Sequence, residues 1–177
     1  GNSTVAPLLQ HGLSREDAMK TNRILVPLDG SELAEAALAD AFDLAARDGA
    51  VVMLMRAAEA RVLPGYDPIL AEVEAVTDAE KYLADLKAKL DGRGFRNVET
   101  HVWYGPPAAS IIEAVGYYKA DLIVMSTHGR SGIRRLIFGS VAESVLRGTT
   151  TPIFLRRPSE APVELPAVTM QPKEVLR

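Results

Sequence analysis

A loop of glycines and arginines in the second half of this chain has the composition of an anion-binding segment. It runs from Ser126 to Ser140, directly after an apolar run and before a predicted helix. Its glycines leave the main chain open to close approach by a ligand, and they are Gly129, Gly132 and Gly139. Its charged residues are all positive, namely Arg130, Arg134 and Arg135. Because unpaired N–H groups at the start of a helix also attract anions, the segment favours a phosphate.

The same loop has a second interpretation that needs no ligand. The residues from Ser140 to Glu143 have the spacing of a capping box, in which Ser140 would simply begin a helix. His128 can contact a phosphate, but a histidine in a turn can equally bond to the backbone. The residue types alone leave both interpretations of the loop open.

A second candidate segment follows the first apolar run of the chain, at Pro27-Leu28-Asp29-Gly30-Ser31. The Asp29 carboxylate can accept hydrogen bonds from a ribose or hold a metal ion, whereas an Asp-Gly turn explains the residue without a ligand. The sequence shows no second carboxylate that would form a metal pair with Asp29, and no evident general base. The segment therefore gives little indication of hydrolysis.

Several common site motifs are absent from the sequence. The dinucleotide pattern Gly-x-Gly-x-x-Gly does not follow the first strand, and neither Gly-Lys-Ser/Thr nor Gly-x-Ser-x-Gly occurs. The three histidines, His11, His101 and His128, have no metal-ligand spacing, and there is no cysteine. These absences argue against a P-loop NTPase, an α/β-hydrolase, a thiol enzyme and a cysteine-based metal site.

The composition is that of an ordinary globular domain. Of 177 residues, 47% are hydrophobic and 24% are charged, with a formal net charge of -3. This balance argues against general affinity for nucleic acid or an anionic membrane. No apolar run reaches the ~20 residues of a membrane span, and the N-terminus lacks the pattern of a signal peptide. We therefore expect a cytoplasmic protein with no nucleic-acid or membrane partner.

Strand and helix patterns alternate along the chain, which predicts an α/β fold with a single parallel sheet and helices on both faces. The predicted strands are Arg23–Leu28, Ala50–Met55, Val98–Tyr104, Asp121–Met125 and Pro152–Leu155. The predicted helices run from Ser31 to about Gly49, from Thr77 to Gly92, around Ala108–Val115 and from Ser140 to about Arg147. Residues 1–21 and 158–177 lack a periodic pattern, so we expect an N-terminal extension and an irregular tail that add little to folding. In such a sheet, ligands bind beyond the carboxyl ends of the strands, where both candidate segments lie.

Three stretches of the core are distinctive in combination: ILVPLDGSELAEAAL, GPPAASI leading into DLIVMSTHG, and GRSGIRRLIFGSVAESVLRGTTTPIFLRR. Through them, residues 22–157 resemble a universal stress protein domain. The resemblance implies an open five-stranded, Rossmann-like parallel sheet in the strand order 3-2-1-4-5. That order would place strands 1 and 4 side by side, so that the two candidate segments face each other.

One branch of this family binds ATP through the pattern Gly-x-x-Gly, nine residues, Gly, Ser/Thr. Here Ser126 stands at the first glycine, and Arg56 replaces a small apolar residue that helps to hold adenine in the family. The resemblance assigns the phosphates to the glycine loop and the adenosine to Asp29 and its neighbours, whereas Arg56 could stack on adenine or turn to solvent. The implied nucleotide-binding residues are Pro27, Leu28, Asp29, Arg56, Met125, Ser126, His128, Gly129, Arg130, Gly132, Gly139, Ser140 and Val141.

The resemblance implies a stress-response module that binds ATP, with or without magnesium, and regulates through its nucleotide state. It carries no catalytic residues and no metal ligands of its own, so we do not expect an enzyme. We also expect a homodimer through strand 5, since exposed strand edges pair unless they are covered. The tail from Pro158 could cover that edge within one chain instead. Two alternatives remain: a dimeric scaffold of the same fold that binds no nucleotide, and a slow ATPase.

Overall fold

The computed structural model describes residues 20–61, 64–127, 139–157 and 165–167. Strands and helices alternate in it, as the sequence predicts. The strands are β1 (Arg23–Pro27), β2 (Val51–Ala58), β3 (Val98–Tyr104), β4 (Leu122–Ser126) and β5 (Ile153–Arg156). The helices are α1 (Glu32–Glu35), α2 (Ala37–Asp48), α3 (Pro68–Gly92), α4 (Pro107–Tyr118) and α5 (Ser140–Gly148).

The strands form one parallel sheet in the order β3-β2-β1-β4-β5. The central strand β1 pairs with β2 on one side and β4 on the other, with Ile24 opposite Val52 and Leu122. This topology confirms the predicted fold class and strand order. From β1 the chain adds β2 and β3 on one side of the sheet, and it then crosses over to add β4 and β5 on the other side of β1. The carboxyl ends of β1 and β4 therefore form the switch point at which ligands bind in such sheets.

Two hydrophobic layers cover the faces of the sheet. One layer packs alternate strand residues against α2 and α3, and it includes Ile24, Val26, Leu54, Leu38, Phe42, Leu83 and Leu90. The other packs the intervening strand residues against α4 and α5, and it includes Leu25, Met53, Ile123, Ile111, Val115 and Val145. Burial on both faces explains why the central strands are continuous apolar runs rather than alternating ones. No helix among the described residues is long and apolar enough to cross a membrane.

The first helical segment is confirmed at both ends but divided in the middle. The hydroxyl of Ser31 accepts a hydrogen bond from the N–H of Ala34 at 3.1 Å, as expected for an N-cap. Gly49 ends α2 with a left-handed φ of 71°, which glycine adopts without strain. Between these ends, Ala36 separates α1 from α2.

The predicted start of α3 at Thr77 is wrong. The helix begins nine residues earlier at Pro68, where the Asp67 carboxylate accepts a hydrogen bond from the N–H of Ile69 at 2.9 Å. Thr77 lies inside the helix, and its hydroxyl donates to the carbonyl of Val73 at 2.8 Å. An Asp-Pro pair is a complete start signal in itself, because proline suits the first helical position and aspartate caps it.

Leu165 is an exception to the expectation that the terminal segments add little to folding. Its partly buried side chain packs against the core layer that contains α2 and α3. Replacing Leu165 by alanine should destabilise the protein by about 1–2 kcal/mol, because a partly buried leucine loses part of the usual burial energy. The melting temperature should fall by about 2–6 °C.

A thermal melt with Leu146→Ala as the matched control checks this prediction. Leu146 lies on α5 and is 49% exposed, so its truncation should change the melting temperature little. Equal melting temperatures for wild type and Leu165→Ala would show that the contact of the tail with the core contributes no stability.

Candidate functional site

The ends of β1 and β4 bring the two predicted segments to one edge of the sheet. Leu25 of β1 lies opposite Ile123 of β4, and Asp29 and Thr127 each follow four residues later along these parallel strands. The N–H of Gly139 donates to the carbonyl of Thr127 at 2.7 Å, which fixes the start of α5 at the end of β4. Pro27, Leu28, Asp29, Ser126, Gly139 and Ser140 therefore share this edge.

The Asp29 carboxylate is held in place by Ser31, the N-cap residue of α1. Its Oδ1 accepts hydrogen bonds from the Ser31 N–H at 3.0 Å and from the Ser31 hydroxyl at 2.6 Å. Gly30 completes the turn with φ of 82°, a conformation that favours glycine. The Asp-Gly turn interpretation is thus confirmed, and the turn also fixes a half-buried carboxylate at the ligand edge.

Among the described residues, the N-cap position of α5 provides no side-chain hydrogen bond to the helix. Gly139 is the N-cap residue with extended backbone angles, φ of -69° and ψ of 152°, and Ser140 is the first helical residue. The predicted capping box with Ser140 as the cap is therefore wrong: the N–H of Glu143 instead donates to the carbonyl of Gly139 at 3.0 Å. A glycine cap has no side chain to occupy the first N–H groups of the helix, so they remain suited to an anion.

The last residues of β4 are buried. Met125 is 5% exposed and its side chain belongs to the core layer beneath α4 and α5. Ser126 is 7% exposed, and its hydroxyl has no hydrogen-bond partner among the described residues. Val141, in the first turn of α5, is half-buried against the same core layer.

Arg56 packs against an aromatic residue of α3. Its guanidinium lies over the ring of Tyr82, 4.7 Å from the centroid. The Tyr82 hydroxyl donates to the Glu35 carboxylate at 2.7 Å, so the contacts join β2, α3 and α1. Burial, with the adjacent Glu35 carboxylate, raises the pKa of Tyr82 well above its usual value, and the phenol stays a neutral donor.

Sequence reasoning missed Tyr82 and Glu35 as neighbours of the site. The available signal was the position of Tyr82 within the apolar stripe of α3, four residues before the buried Leu86. An aromatic residue at that spacing is typical of a core face, and its hydroxyl then needs a partner. Its partner on α1 depends on how α3 packs, which the local sequence does not specify.

Replacing Tyr82 by phenylalanine should remove the link to Glu35 while keeping the ring beneath Arg56. We expect a loss of about 1–2 kcal/mol, because a partly buried hydrogen bond to a carboxylate is broken. Chemical denaturation of Tyr82→Phe and of Tyr117→Phe measures this loss. Tyr117 is 72% exposed, so its variant should match wild type, and an equally stable Tyr82 variant would contradict a structural role for the hydroxyl.

Part of the predicted site lies outside the described residues. These positions are His128, Gly129, Arg130 and Gly132. Within the described part of the chain, no group of three histidine, aspartate or glutamate residues could hold a metal ion. The described part of the site therefore offers a fixed carboxylate, an uncapped helix start and an arginine supported by a tyrosine.

The family of the chain is shown by comparison with known proteins. The model of the universal stress protein family matches residues 20–157, which include every strand and helix described above. The chain belongs to this family. A universal stress protein of Staphylococcus aureus (strain USA300) is 30% identical over 144 residues, covering 80% of this chain and 87% of that protein.

Two solved structures share the fold and contain a nucleotide. A universal stress protein in complex with cAMP has a TM-score of 0.62 at 22% identity, covering 79% of this chain and 99% of that chain. A family protein from Arabidopsis thaliana with AMP bound has a TM-score of 0.56 at 12% identity, covering 78% of this chain and 93% of that chain. Both similarities place the sheet order and helical layers of this chain within the family fold.

Proposed function

We propose that this universal stress protein binds an adenine nucleotide, foremost ATP, and acts in the cytoplasm as a nucleotide-dependent regulatory module. The observation that carries the proposal is the uncapped start of α5 at Gly139, on the same sheet edge as the fixed carboxylate of Asp29. An anion-binding helix start beside a ribose-binding carboxylate is the arrangement that a nucleotide requires.

Each part of the nucleotide has a matching group in this arrangement. The N–H groups of Ser140 and Val141 suit the phosphates, because the preceding N-cap residue Gly139 has no side chain that would block them. Asp29 suits a ribose hydroxyl, because a carboxylate accepts charge-assisted hydrogen bonds. The backbone of Leu28 and the side chain of Arg56 would contact the base, and magnesium would arrive bound to the phosphates.

The relatives support the choice of an adenine nucleotide. One solved family structure contains cAMP and another contains AMP. Both ligands combine adenine with a phosphate on the ribose, which is the chemistry that this sheet edge would recognise. ATP adds phosphates for the arginine-rich loop predicted from the sequence.

We propose binding without efficient turnover. Oδ1 of Asp29 is engaged by Ser31, and Oε1 of Glu35 accepts from Tyr82. In the proposed complex Asp29 also binds the ribose, so we assign neither carboxylate as a general base for an attacking water. A slow ATPase would reveal itself by phosphate release proportional to enzyme concentration, and this release should be lost with Gly139→Val.

The nucleotide-free scaffold is the main competing function. Denaturing the purified protein and assaying the supernatant should release an adenine nucleotide, and adding millimolar ATP to nucleotide-free protein should raise its melting temperature. No released nucleotide together with an unchanged melting temperature would favour the scaffold.

We further propose that β5 forms a dimer interface. In the described sheet β5 is an edge strand that pairs with β4, and its Phe154 is 41% exposed. Phe154→Glu should convert a dimer into a monomer, because a buried charge at an interface is costly. Light scattering at micromolar concentration measures the change, with Tyr104→Glu at the opposite edge strand β3 as the control. A monomeric wild type would contradict this proposal.

A further inference from the structure

The helix α3 is longer than the sheet it covers. Its 25 residues extend about 37 Å at ~1.5 Å per residue, whereas a seven-residue strand such as β3 spans about 23 Å. The buried residues of α3 lie mostly in its second half, at Ala79, Leu83, Leu86 and Leu90. Because the crossover from β2 to β3 begins at the carboxyl edge of the sheet, the N-terminal turns of α3 extend past that edge.

These N-terminal turns expose a cluster of large apolar side chains. Ile69 is 73% exposed and Val73 is 55% exposed, one turn apart on the same side of the helix. Leu70 is 47% exposed, and Tyr66, just before the helix, is 41% exposed. The small residue Ala71, on the other side of the helix, is buried. We call Tyr66, Ile69, Leu70 and Val73 the α3 apolar patch; exposed apolar clusters of this kind mark interaction surfaces.

The chain segment that carries the α3 apolar patch is acidic, between Arg61 and Lys81. Residues 64–80 contain no lysine, arginine or histidine, and their acidic residues are Asp67, Glu72, Glu74, Asp78 and Glu80. The Tyr66 hydroxyl donates to both oxygens of the Glu74 carboxylate, at 2.8 and 2.9 Å, so the tyrosine is held against the acidic side of the helix. Apolar and negative surface are therefore combined in one short segment.

The charges select one occupant among those that an apolar surface could take. A second copy docking through the same patch would bring two acidic surfaces together, and an anionic lipid surface would be repelled in the same way. A partner helix with an apolar stripe flanked by lysine or arginine matches both properties. We propose that the α3 apolar patch docks a basic amphipathic helix of another protein, which lays its apolar stripe on Ile69 and Val73.

Binding of a synthetic peptide to the full chain tests this proposal. The probe is a labelled lysine–leucine peptide of about 18 residues, long enough to form a helix, with its leucines on one face. Fluorescence anisotropy should show saturable binding that weakens as salt is added, because exposed charges are screened. The double variant Ile69→Ser/Val73→Ser should bind about tenfold more weakly or worse, since two apolar contacts are lost.

Matched variants distinguish binding at the α3 apolar patch from nonspecific hydrophobic binding. Leu146→Ser and Tyr117→Ser remove exposed apolar side chains from α5 and α4 and should leave the affinity within about twofold, a change of less than ~0.5 kcal/mol. Glu72→Gln/Glu80→Gln keeps the apolar residues and should weaken binding through charge alone. Because the substituted side chains are exposed, each variant should fold, and circular dichroism verifies this.

Four results would overturn the proposal. A peptide of the same composition with its leucines scrambled around the helix could bind equally well, or the Ile69→Ser/Val73→Ser variant could keep full affinity. Alternatively, that double variant could abolish self-association of the chain, or its binding to phosphatidylcholine vesicles, which would assign the patch to a second copy or to a membrane. Nucleotide binding is measured alongside and should be unchanged in every one of these variants.

Discussion

Valine at position 139 should weaken ATP binding on the order of 100-fold in a protein that still folds. Gly139 has an extended backbone, with φ of -69° and ψ of 152°, and valine adopts these angles readily. Its fold therefore does not require glycine there. The added side chain should instead keep phosphates away from the first N–H groups of α5, and losing about two charge-assisted hydrogen bonds accounts for the expected loss.

Calorimetric titration with ATP and magnesium measures the effect of Gly139→Val. The matched control is Gly116→Val in α4, because a Cβ atom added at Gly116 meets no atom within 4 Å and Gly116 lies on a helix outside the site. Both variants should keep the circular dichroism of wild type. A folded Gly139→Val protein that binds ATP as tightly as wild type would show that the phosphates do not bind at the start of α5.

Alanine at position 29 should weaken ATP binding by about 1–3 kcal/mol, or roughly 5- to 150-fold, because a charge-assisted hydrogen bond to the sugar is lost. The same change removes the acceptor for the Ser31 N–H and hydroxyl. We therefore also expect a loss of stability of about 1 kcal/mol. The two effects need separate controls.

Two variants separate the roles of Asp29. Asp29→Asn keeps an oxygen acceptor for the turn and removes the charge, so it should keep most of the stability and lose part of the affinity. Ser31→Ala removes the N-cap hydroxyl that accepts from Ala34 at 3.1 Å, so it should lose stability and keep the affinity. If affinity followed stability in all three variants, Asp29 would be a structural residue of the turn and not a ligand contact.

The fold follows from features that are local in sequence. Runs such as Ile24–Val26 and Val52–Met55 are apolar on both faces, and only a parallel sheet covered by two helical layers buries both. The start of α3 could not be read in the same way, because Asp67-Pro68 and Thr77-x-x-Glu80 are both valid start signals. Choosing between them requires the packing of the helix, which is a tertiary property.

The candidate site also combines features that the local sequence specifies with contacts that depend on tertiary packing. Asp29 and Gly139 were identifiable because a turn and a helix start have local signatures. The stacking of Arg56 on Tyr82 joins residues 26 positions apart, and the bond from Tyr82 to Glu35 joins residues 47 positions apart. Long side chains choose among rotamers according to such distant neighbours, so no sequence pattern near Arg56 specified its direction.

Direct titration of the wild-type chain with ATP tests the central claim of nucleotide binding. The protein is first freed of any nucleotide carried through purification, which denaturation of a sample and assay of its supernatant verifies. With magnesium present, the calorimeter should record saturable binding of one ATP per chain, and AMP should compete for the same site. A folded, nucleotide-free protein that shows no saturable heat with millimolar ATP would contradict the claim.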